Sequence, residues 1–246
     1  MTYPRAFFLI IIFISFYVHP QQISLMAPGE YNTVQEVYFA SHLKQQLLSK
    51  MAEDVQLKLE DINGSPYLDE WFHLGKIIDE KVYKENACYL RYNIYNDVIE
   101  LKYSIDTSAP VYGFLKDPDF KAIIGDKSFY YRKFIASDGI SKFGYLELMK
   151  DYGSFKLFKR HYQVLRLPKK ARTSLEKDIP AKLSNYEHYY VEQNEAFKEV
   201  EMHRKKIVEA FPDHSSEAKK FIKKEKLRFK DEGDLIKLGD YLSSLK

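Results

Sequence analysis

The stretch YLRYNIYNDVIELK spans residues 89–102 and carries the clearest structural signal in the chain. Leu90, Tyr92 and Ile94 fall on one face of an extended strand, with polar residues between them. The Asn-Asp pair that follows is a turn signal, and the letters VIEL then begin a returning strand. The stretch therefore predicts a β-hairpin with one apolar face.

The sequence on both sides of this hairpin repeats the strand pattern. Six more short stretches are rich in apolar and aromatic residues and are separated by turn signals: 55–59, 67–78, 121–124, 128–134, 143–149 and 154–167. A last hairpin is predicted about Gln193 and Asn194. Short strands at this spacing indicate an antiparallel sheet, either a sandwich or an open barrel. Parallel βαβ units are not expected, because no helical pattern separates the strands.

Helical patterns stand at the two ends of the sheet segment. Thr33 and Glu36 form a capping box before an amphipathic helix over 34–52. The tail predicts a helix over 203–211, a second one capped by Asp213 or Ser215, and a third one capped by Asp231. In the third helix the apolar residues form one narrow stripe: Leu235, Leu238, Leu242 and Leu245. The fold class is therefore predicted as α+β, an antiparallel sheet with an N-terminal helix and a C-terminal helical tail.

These patterns divide the chain into four predicted parts. Residues 1–20 form a signal peptide, and 21–167 form the N-terminal helix with the antiparallel β domain. Two prolines and many charges make 168–183 a linker or a long connection. Residues 184–246 then form a β-hairpin and the C-terminal helices.

The N-terminal segment has the pattern of an export signal. Arg5 precedes the apolar run FFLIIIFISFYV at 7–18, and Pro20 follows it. Twelve residues suit the apolar region of a signal peptide and are short for a bilayer span of roughly 20 residues. We expect cleavage and a periplasmic or secreted mature protein, with an uncleaved anchor as the alternative because small residues are missing before the cut. No other stretch reaches membrane-spanning length.

Composition limits the classes of protein that fit the chain. It is 45% hydrophobic and 15% aromatic, which suits one sizeable core and argues against disorder. The formal charge of +3 is close to neutral and points to no polyanionic partner for the chain as a whole. Cys88 is the single cysteine, so an intramolecular disulfide is excluded and a small buried side chain is expected there.

Several segments together resemble a family of exported proteins of Bacteroidetes-type bacteria that has no known activity. The resembling segments are GSPYL at 64–68, Gly75, LRYNIYND at 90–97 with Ile99 and Glu100, GYLE at 144–147, FIKK at 221–224 and DLIKL at 234–238. The resemblance covers roughly residues 60–246. It implies export and this fold, and it supplies no site residue.

The residues that carry common chemistries form no recognised motif. The seven histidines (His19, His42, His73, His161, His188, His203 and His214) include no HExxH pair, and each is expected to be structural. Phosphate-binding glycine loops, nucleophile elbows and EF-hand loops are also missing from the sequence. We therefore assign no catalytic, cofactor-binding or metal-ligating residue and expect no cofactor.

One acidic and aromatic segment could bind a sugar. Asp69, Glu70, Trp71 and Phe72 place two carboxylates beside two rings, a set that could line a sugar subsite or act as acid and base. Adjacent residues of a strand point to opposite faces, so both carboxylates could reach one ligand only if the segment turns. We expect a plain turn with Trp71 in the core.

Three groups of basic residues could bind anions. One lies on the second tail helix and its exit, from Lys219 to Lys230, and a second runs from Lys156 to Arg172. The third, at 130–134, interleaves aromatic and basic residues as nucleic-acid-binding sheets do. The simpler interpretation is a solvated helix face and an edge strand protected by charge, and export argues against nucleic acid.

Three functional hypotheses follow. The first is a non-catalytic exported envelope protein with a binding or structural role, whose partner is another envelope protein or a surface polymer. The second is a secreted hydrolase with catalytic residues scattered in the sequence, which predicts a concave pocket with at least two titratable groups of shifted pKa. The third is a peripheral membrane-surface protein that docks through its basic helical tail.

Overall fold

The computed structural model describes residues 62–114, 116–136, 138–173 and 175–245. The predicted signal peptide (1–20), the helix predicted over 34–52 and the strand predicted over 55–59 lie outside the described residues. The predicted N-terminal helix is therefore not part of the observed architecture, which is broadly α+β.

The described residues form one large sheet of eleven strands. These are β1 (Ile62–Asn63), β2 (His73–Asp79), β3 (Lys84–Asn93), β4 (Val98–Lys102), β5 (Tyr112–Gly113), β6 (Phe120–Ile124), β7 (Lys127–Ile135), β8 (Ser141–Asp151), β9 (Lys156–Arg166), β10 (Ala181–Gln193) and β11 (Ala196–Val200). Their order is β1-β10-β9-β8-β7-β6-β2-β3-β4-β5, and β11 also pairs with β10.

The strand pairs are antiparallel with one exception. The two-residue β1 pairs with β10 in parallel, so the sheet is mixed rather than purely antiparallel as predicted. The hairpin predicted over 89–102 is confirmed as β3 and β4. The choice between a sandwich and an open barrel stays a prediction.

Strands β8 and β9 pair along only part of their length. Their ladder runs from Glu147 to Asp151, with a bulge between Leu148 and Lys150. Beyond it, Tyr145 of β8 donates its backbone N–H to Asp97 in the β3–β4 turn. Gln163 of β9 donates its side-chain amide to a carbonyl of the 64–66 turn. The β3–β4 turn and the 64–66 turn thus provide hydrogen-bond partners where the two strands separate.

One face of the sheet carries two apolar cores. At one end, Leu90 and Tyr92 of β3 pack with Phe129 of β7 and Tyr145 of β8. At the other end the core lies under the C-terminal helices, where Leu157 of β9 meets residues of the last helix. Each core buries apolar surface that stabilises the fold by roughly 25 cal/mol per Å².

Polar residues lie on the same face between these cores. Phe129 pairs across the sheet with Glu147, Glu147 with Lys159, and His161 with Glu187, so their side chains share one side of the sheet. Glu147, Lys159 and His161 are nevertheless buried. Buried charges require partners: Glu147 is bonded to His161, and Lys159 is bonded to Glu232.

The tail is helical, with one difference from the prediction. A 3₁₀ helix covers only Ile207–Ala210 of the predicted 203–211 helix, and a second one covers Pro212–His214. Two α-helices follow, α1 (Ser215–Lys224) and α2 (Glu232–Ser243). Proline at 212 has no backbone N–H and stops the first helix.

The predicted helix caps are half right. Asp231 caps α2 and accepts a hydrogen bond from the backbone N–H of Gly233 at 3.0 Å. Neither Asp213 nor Ser215 caps α1, because His214 holds the cap position without a side-chain bond. The predicted stripe is confirmed for Leu235, Leu238 and Leu242, which are buried, while Leu245 lies past the end of α2 and is partly buried.

The connection predicted at 168–183 ends inside a strand. β10 begins at Ala181, and Lys182 pairs with Arg166 at the end of β9. The strands on the two sides of the connection are therefore neighbours in one sheet. The division of the chain into units stays a prediction.

Candidate functional site

A pocket of about 320 Å³ opens where three distant parts of the chain meet. Residues 68–73, before and at the start of β2, form one wall. Arg91 and Tyr92 of β3 form another. The turn between β6 and β7 completes it with Asp126, together with Lys127 and Phe129 at the start of β7.

Trp71 lies at this pocket and is 74% exposed. The expectation of a core Trp71 is therefore wrong. The segment 67–72 turns instead of continuing as a strand, and β2 begins only at His73. A ring this exposed keeps most of its apolar surface available to a ligand.

An Asp-His pair stands beside Trp71. Asp69 Oδ1 accepts the backbone N–H of Trp71 at 3.0 Å, and Asp69 Oδ2 lies 2.9 Å from His73 Nε2. The bond from Trp71 and then the bond with His73 hold the pKa of Asp69 below its ordinary value. Asp69 is therefore a carboxylate at neutral pH. The turn brings Asp69 and Trp71 to one pocket.

The pocket wall is held in place by a stacked arginine. The Arg91 guanidinium lies 3.6 Å from the ring centre of Tyr67 and 4.4 Å from that of Phe72. Its Nη2 also binds Glu100 at 2.6 Å, and Asn93 donates to the same carboxylate at 3.0 Å. Burial raises the pKa of Glu100, and Arg91 and Asn93 oppose that rise.

A further contact ties the segment to the hairpin. Arg91 Nη1 donates to the backbone carbonyl of Glu70 at 2.9 Å. Glu70 is exposed and does not line the pocket, so of the two adjacent carboxylates only Asp69 faces it. The wall that carries Trp71 is thus fixed to β3 through Arg91.

Lys127, which lines the pocket, connects it to the buried polar network. Lys127 Nζ binds Glu147 Oε1 at 2.8 Å, and His161 Nε2 lies 2.6 Å from Glu147 Oε2. Burial alone would raise the pKa of Glu147, but the bonds from His161 and Lys127 and the charge of Lys159 lower it to about 2. Glu147 is therefore an ionised structural partner at neutral pH.

The network also reaches the C-terminal helix. Lys159 Nζ lies 2.7 Å from Glu232, the first residue of α2. Burial disfavours the charge on Lys159, but the bond to Glu232 and the nearby carboxylates give a net rise in its pKa. One buried lysine thus joins the sheet to the helix.

The pocket fulfils only part of what the hydrolase hypothesis predicts. Two groups that line it have shifted pKa values, Asp69 downward and Tyr92 upward. Burial, then the nearby Asp97, raises the pKa of Tyr92. General acid–base catalysis works best with a pKa near the working pH, and both shifts move away from neutrality. These two groups are therefore poor candidates for proton transfer.

The other sequence candidates fall in structural positions. His161 is a buried member of the network, and Cys88 is buried as expected, with burial raising the pKa of its thiol. Among the described residues, no three His, Cys, Asp or Glu side chains are grouped so that they could hold a metal ion. Also within that part of the chain, no helix has the length and hydropathy that a membrane span requires.

Two of the three basic groups are not continuous surfaces. β7, which contains 130–134, lies between β6 and β8 and is not an edge strand as expected. Its Phe134 is buried, and its Arg132 pairs with Glu80 at 3.0 Å, so the segment offers no stacking platform. In the second group, Lys159 is buried in the network while its neighbour Arg160 stacks over Phe134 on the other face.

The comparisons with known proteins identify no relative. No protein-family model, no curated protein and no solved structure matches the chain.

Proposed function

We propose that this chain is an exported, non-catalytic protein that binds a carbohydrate, as part of a surface polymer, in the pocket beside Trp71. Export is inferred from Arg5 and the apolar run at 7–18. The observation that carries the ligand class is the exposed Trp71 ring next to ionised and polar side chains in one pocket.

A sugar ring has two kinds of surface, and the pocket has a counterpart for each. The C–H groups of a pyranose form an apolar face that packs on a flat aromatic ring, and Trp71 presents such a ring. The hydroxyl groups need both acceptors and donors. Asp69 and Asp126 provide carboxylate oxygens, and His73 and Lys127 provide nitrogen atoms. A pocket with an apolar lining and a few polar groups is typical of small-ligand sites.

Binding without turnover is favoured by the ionised state of Asp69. Glycoside hydrolysis needs one carboxyl group that stays protonated through a raised pKa. The pKa of Asp69 is lowered instead, and that of the nearby Glu147 is about 2. The side chains of Lys127 and Arg91 are also held by ion pairs, which suits a preformed binding site.

The proposal is tested with the mature protein and soluble oligosaccharides. Trp71 is the only tryptophan, so its fluorescence reports directly on the pocket. Chitotetraose, cellotetraose, maltotetraose and laminaritetraose are titrated, and we expect at least one to change the emission in a saturable way. Trp71→Ala should weaken that binding, measured by calorimetry, by about tenfold or more.

The matched control is Tyr83→Ala. Tyr83 is an aromatic side chain that is 86% exposed and does not line the pocket, so its loss should leave the affinity unchanged. Equal loss of affinity in both variants, or no binding of any of the four sugars, argues against the carbohydrate site. Release of new reducing ends would show that the protein is a hydrolase. An N-terminal sequence that starts at Met1 in the exported fraction would contradict cleavage.

A further inference from the structure

A row of exposed cations runs along α1 and the segment that follows it. It consists of Lys219, Lys220, Lys223, Lys224, Lys226, Arg228 and Lys230, all exposed, and is called the cationic ridge below. The ridge lies far along the chain from the residues of the pocket and does not depend on the function proposed for it.

Local geometry places all seven cations outward. In α1 the buried residues are Ala218 and Ile222, four positions apart, and the lysines occupy the neighbouring rows. After the helix, Leu227 and Phe229 are buried in the core, so the cations that alternate with them point to solvent. The apolar contacts thus keep the charged side chains exposed to solvent.

Within the ridge itself, basic residues outnumber acidic ones. Between 217 and 230 the only acidic residues are Glu217 and Glu225, against seven basic ones. Lys224 lies 3.8 Å from Glu225, an exposed pair of little energetic weight. The other six cations form no ion pair within 4 Å with a described residue. The segment is therefore more positive than the chain as a whole, whose formal charge is +3.

The composition of the ridge favours one kind of partner. Six of its seven cations are lysines, which act as mobile point charges and do not match a phosphate in a fixed two-bond geometry as arginine does. Its aromatic residues are engaged inside the fold: Phe229 is buried, and Phe221 stacks on Tyr241 with 4.0 Å between ring centres. They can neither stack on bases nor enter the acyl region of a bilayer.

We infer that the cationic ridge docks the protein on a membrane surface rich in anionic phospholipid, by electrostatic attraction and without insertion. Each Lys or Arg near such a surface raises the partition coefficient about fivefold, and several together give measurable binding. The attraction acts over about one Debye length, so it weakens as salt is added.

The test measures cosedimentation of the mature protein with vesicles. Phosphatidylcholine vesicles with and without 30% phosphatidylglycerol are compared from low to high NaCl concentration. We expect binding only to the anionic vesicles, falling steeply with salt. The variant K219Q/K220Q/K223Q/K224Q should lose about 100-fold or more in partition coefficient.

The matched control removes the same charge elsewhere. Lys169, Lys170, Arg172 and Lys177 lie exposed in the connection before β10, and K169Q/K170Q/R172Q/K177Q should keep near-normal binding. Circular dichroism and thermal unfolding confirm that both variants fold, since all eight side chains are exposed. Absent or salt-independent binding, equal losses in the two variants, or binding to heparin without binding to vesicles would each overturn the inference.

Discussion

Asp97 Oδ1 accepts a hydrogen bond from the backbone N–H of Tyr145 at 3.2 Å, although the two residues lie 48 positions apart. The same oxygen accepts the hydroxyl of buried Tyr92 at 2.7 Å. Gly144 directly precedes Tyr145 on β8, and a Cβ added to it would stand 2.8 Å from Asp97 Oδ2. Asp97 therefore bonds the edge of β8 at the place where β8 has separated from β9.

This relationship gives a structural role to residues that the family resemblance rests on. Asp97 closes the YNIYND segment, and Gly144 and Tyr145 open the GYLE segment. Pro66, from the GSPYL segment, accepts the backbone N–H of Ile94 at 2.8 Å. These segments contact one another and hold the sheet together, and three of their residues, Leu68, Arg91 and Tyr92, also line the pocket at Trp71.

Asp97→Ala should destabilise the protein by about 2 kcal/mol or more. The change leaves the Tyr145 N–H and the Tyr92 hydroxyl without their acceptor, and unmade buried hydrogen bonds cost about 1–3 kcal/mol each. Asp97 also has a positive φ of 52°, which Asp and Asn tolerate better than Ala. Chemical denaturation measures the effect. Asp97→Asn keeps an acceptor and the backbone preference, so it should lose less than half as much, and equal losses would contradict the proposed role.

Gly75→Ala should destabilise the sheet by about 3 kcal/mol, because there is no room for a methyl group. A Cβ at this position of β2 would lie 2.1 Å from the backbone oxygen of Ile123 on β6. Thermal unfolding of the purified variant, or its loss to the insoluble fraction, measures the effect. Leu74→Ala on the same strand is the control, since Leu74 is 66% exposed. If both variants unfold at the wild-type temperature, the close approach of β2 and β6 is wrong.

Trp71 should behave spectroscopically as a surface residue. As it is the only tryptophan and is 74% exposed, the emission maximum should lie near that of free tryptophan, and iodide should quench it. Trp71→Ala should change the free energy of unfolding by no more than about 0.5 kcal/mol, as expected for an exposed side chain. A blue-shifted emission that iodide does not quench would place Trp71 in the core and remove the basis of the carbohydrate proposal.

Local patterns predicted the elements of the fold well, while contacts between distant segments were out of their reach. Alternation in 89–102 gave the β3–β4 hairpin, and the leucine stripe gave α2. The reason is that alternation and helical spacing relate only residues that lie within about ten positions of one another in the sequence. The pocket joins residues near 70, 91 and 127, and no sequence pattern connects these positions. Trp71 was misplaced because its burial depends on whether 67–72 turns, which Arg91 decides from β3.

Acid should weaken the fold through Glu147. The pKa of Glu147 is about 2 in the folded protein and 4.5 in the unfolded chain. Between these pH values the unfolded chain therefore binds a proton that the folded protein does not bind. The contribution of Glu147 to the free energy of unfolding is therefore fully present above about pH 4.5. It is lost as the pH falls toward 2, and the whole loss is about 3 kcal/mol. Urea denaturation at pH 7, 5, 4 and 3 measures it. Glu147→Gln should be less stable at pH 7 and should show a flatter decline below pH 5. Glu225→Gln, at an exposed site, is the control and should follow the wild-type curve. If Glu147→Gln follows that curve as well, the hydrogen bond with His161 and the ion pair with Lys127 do not stabilise the fold.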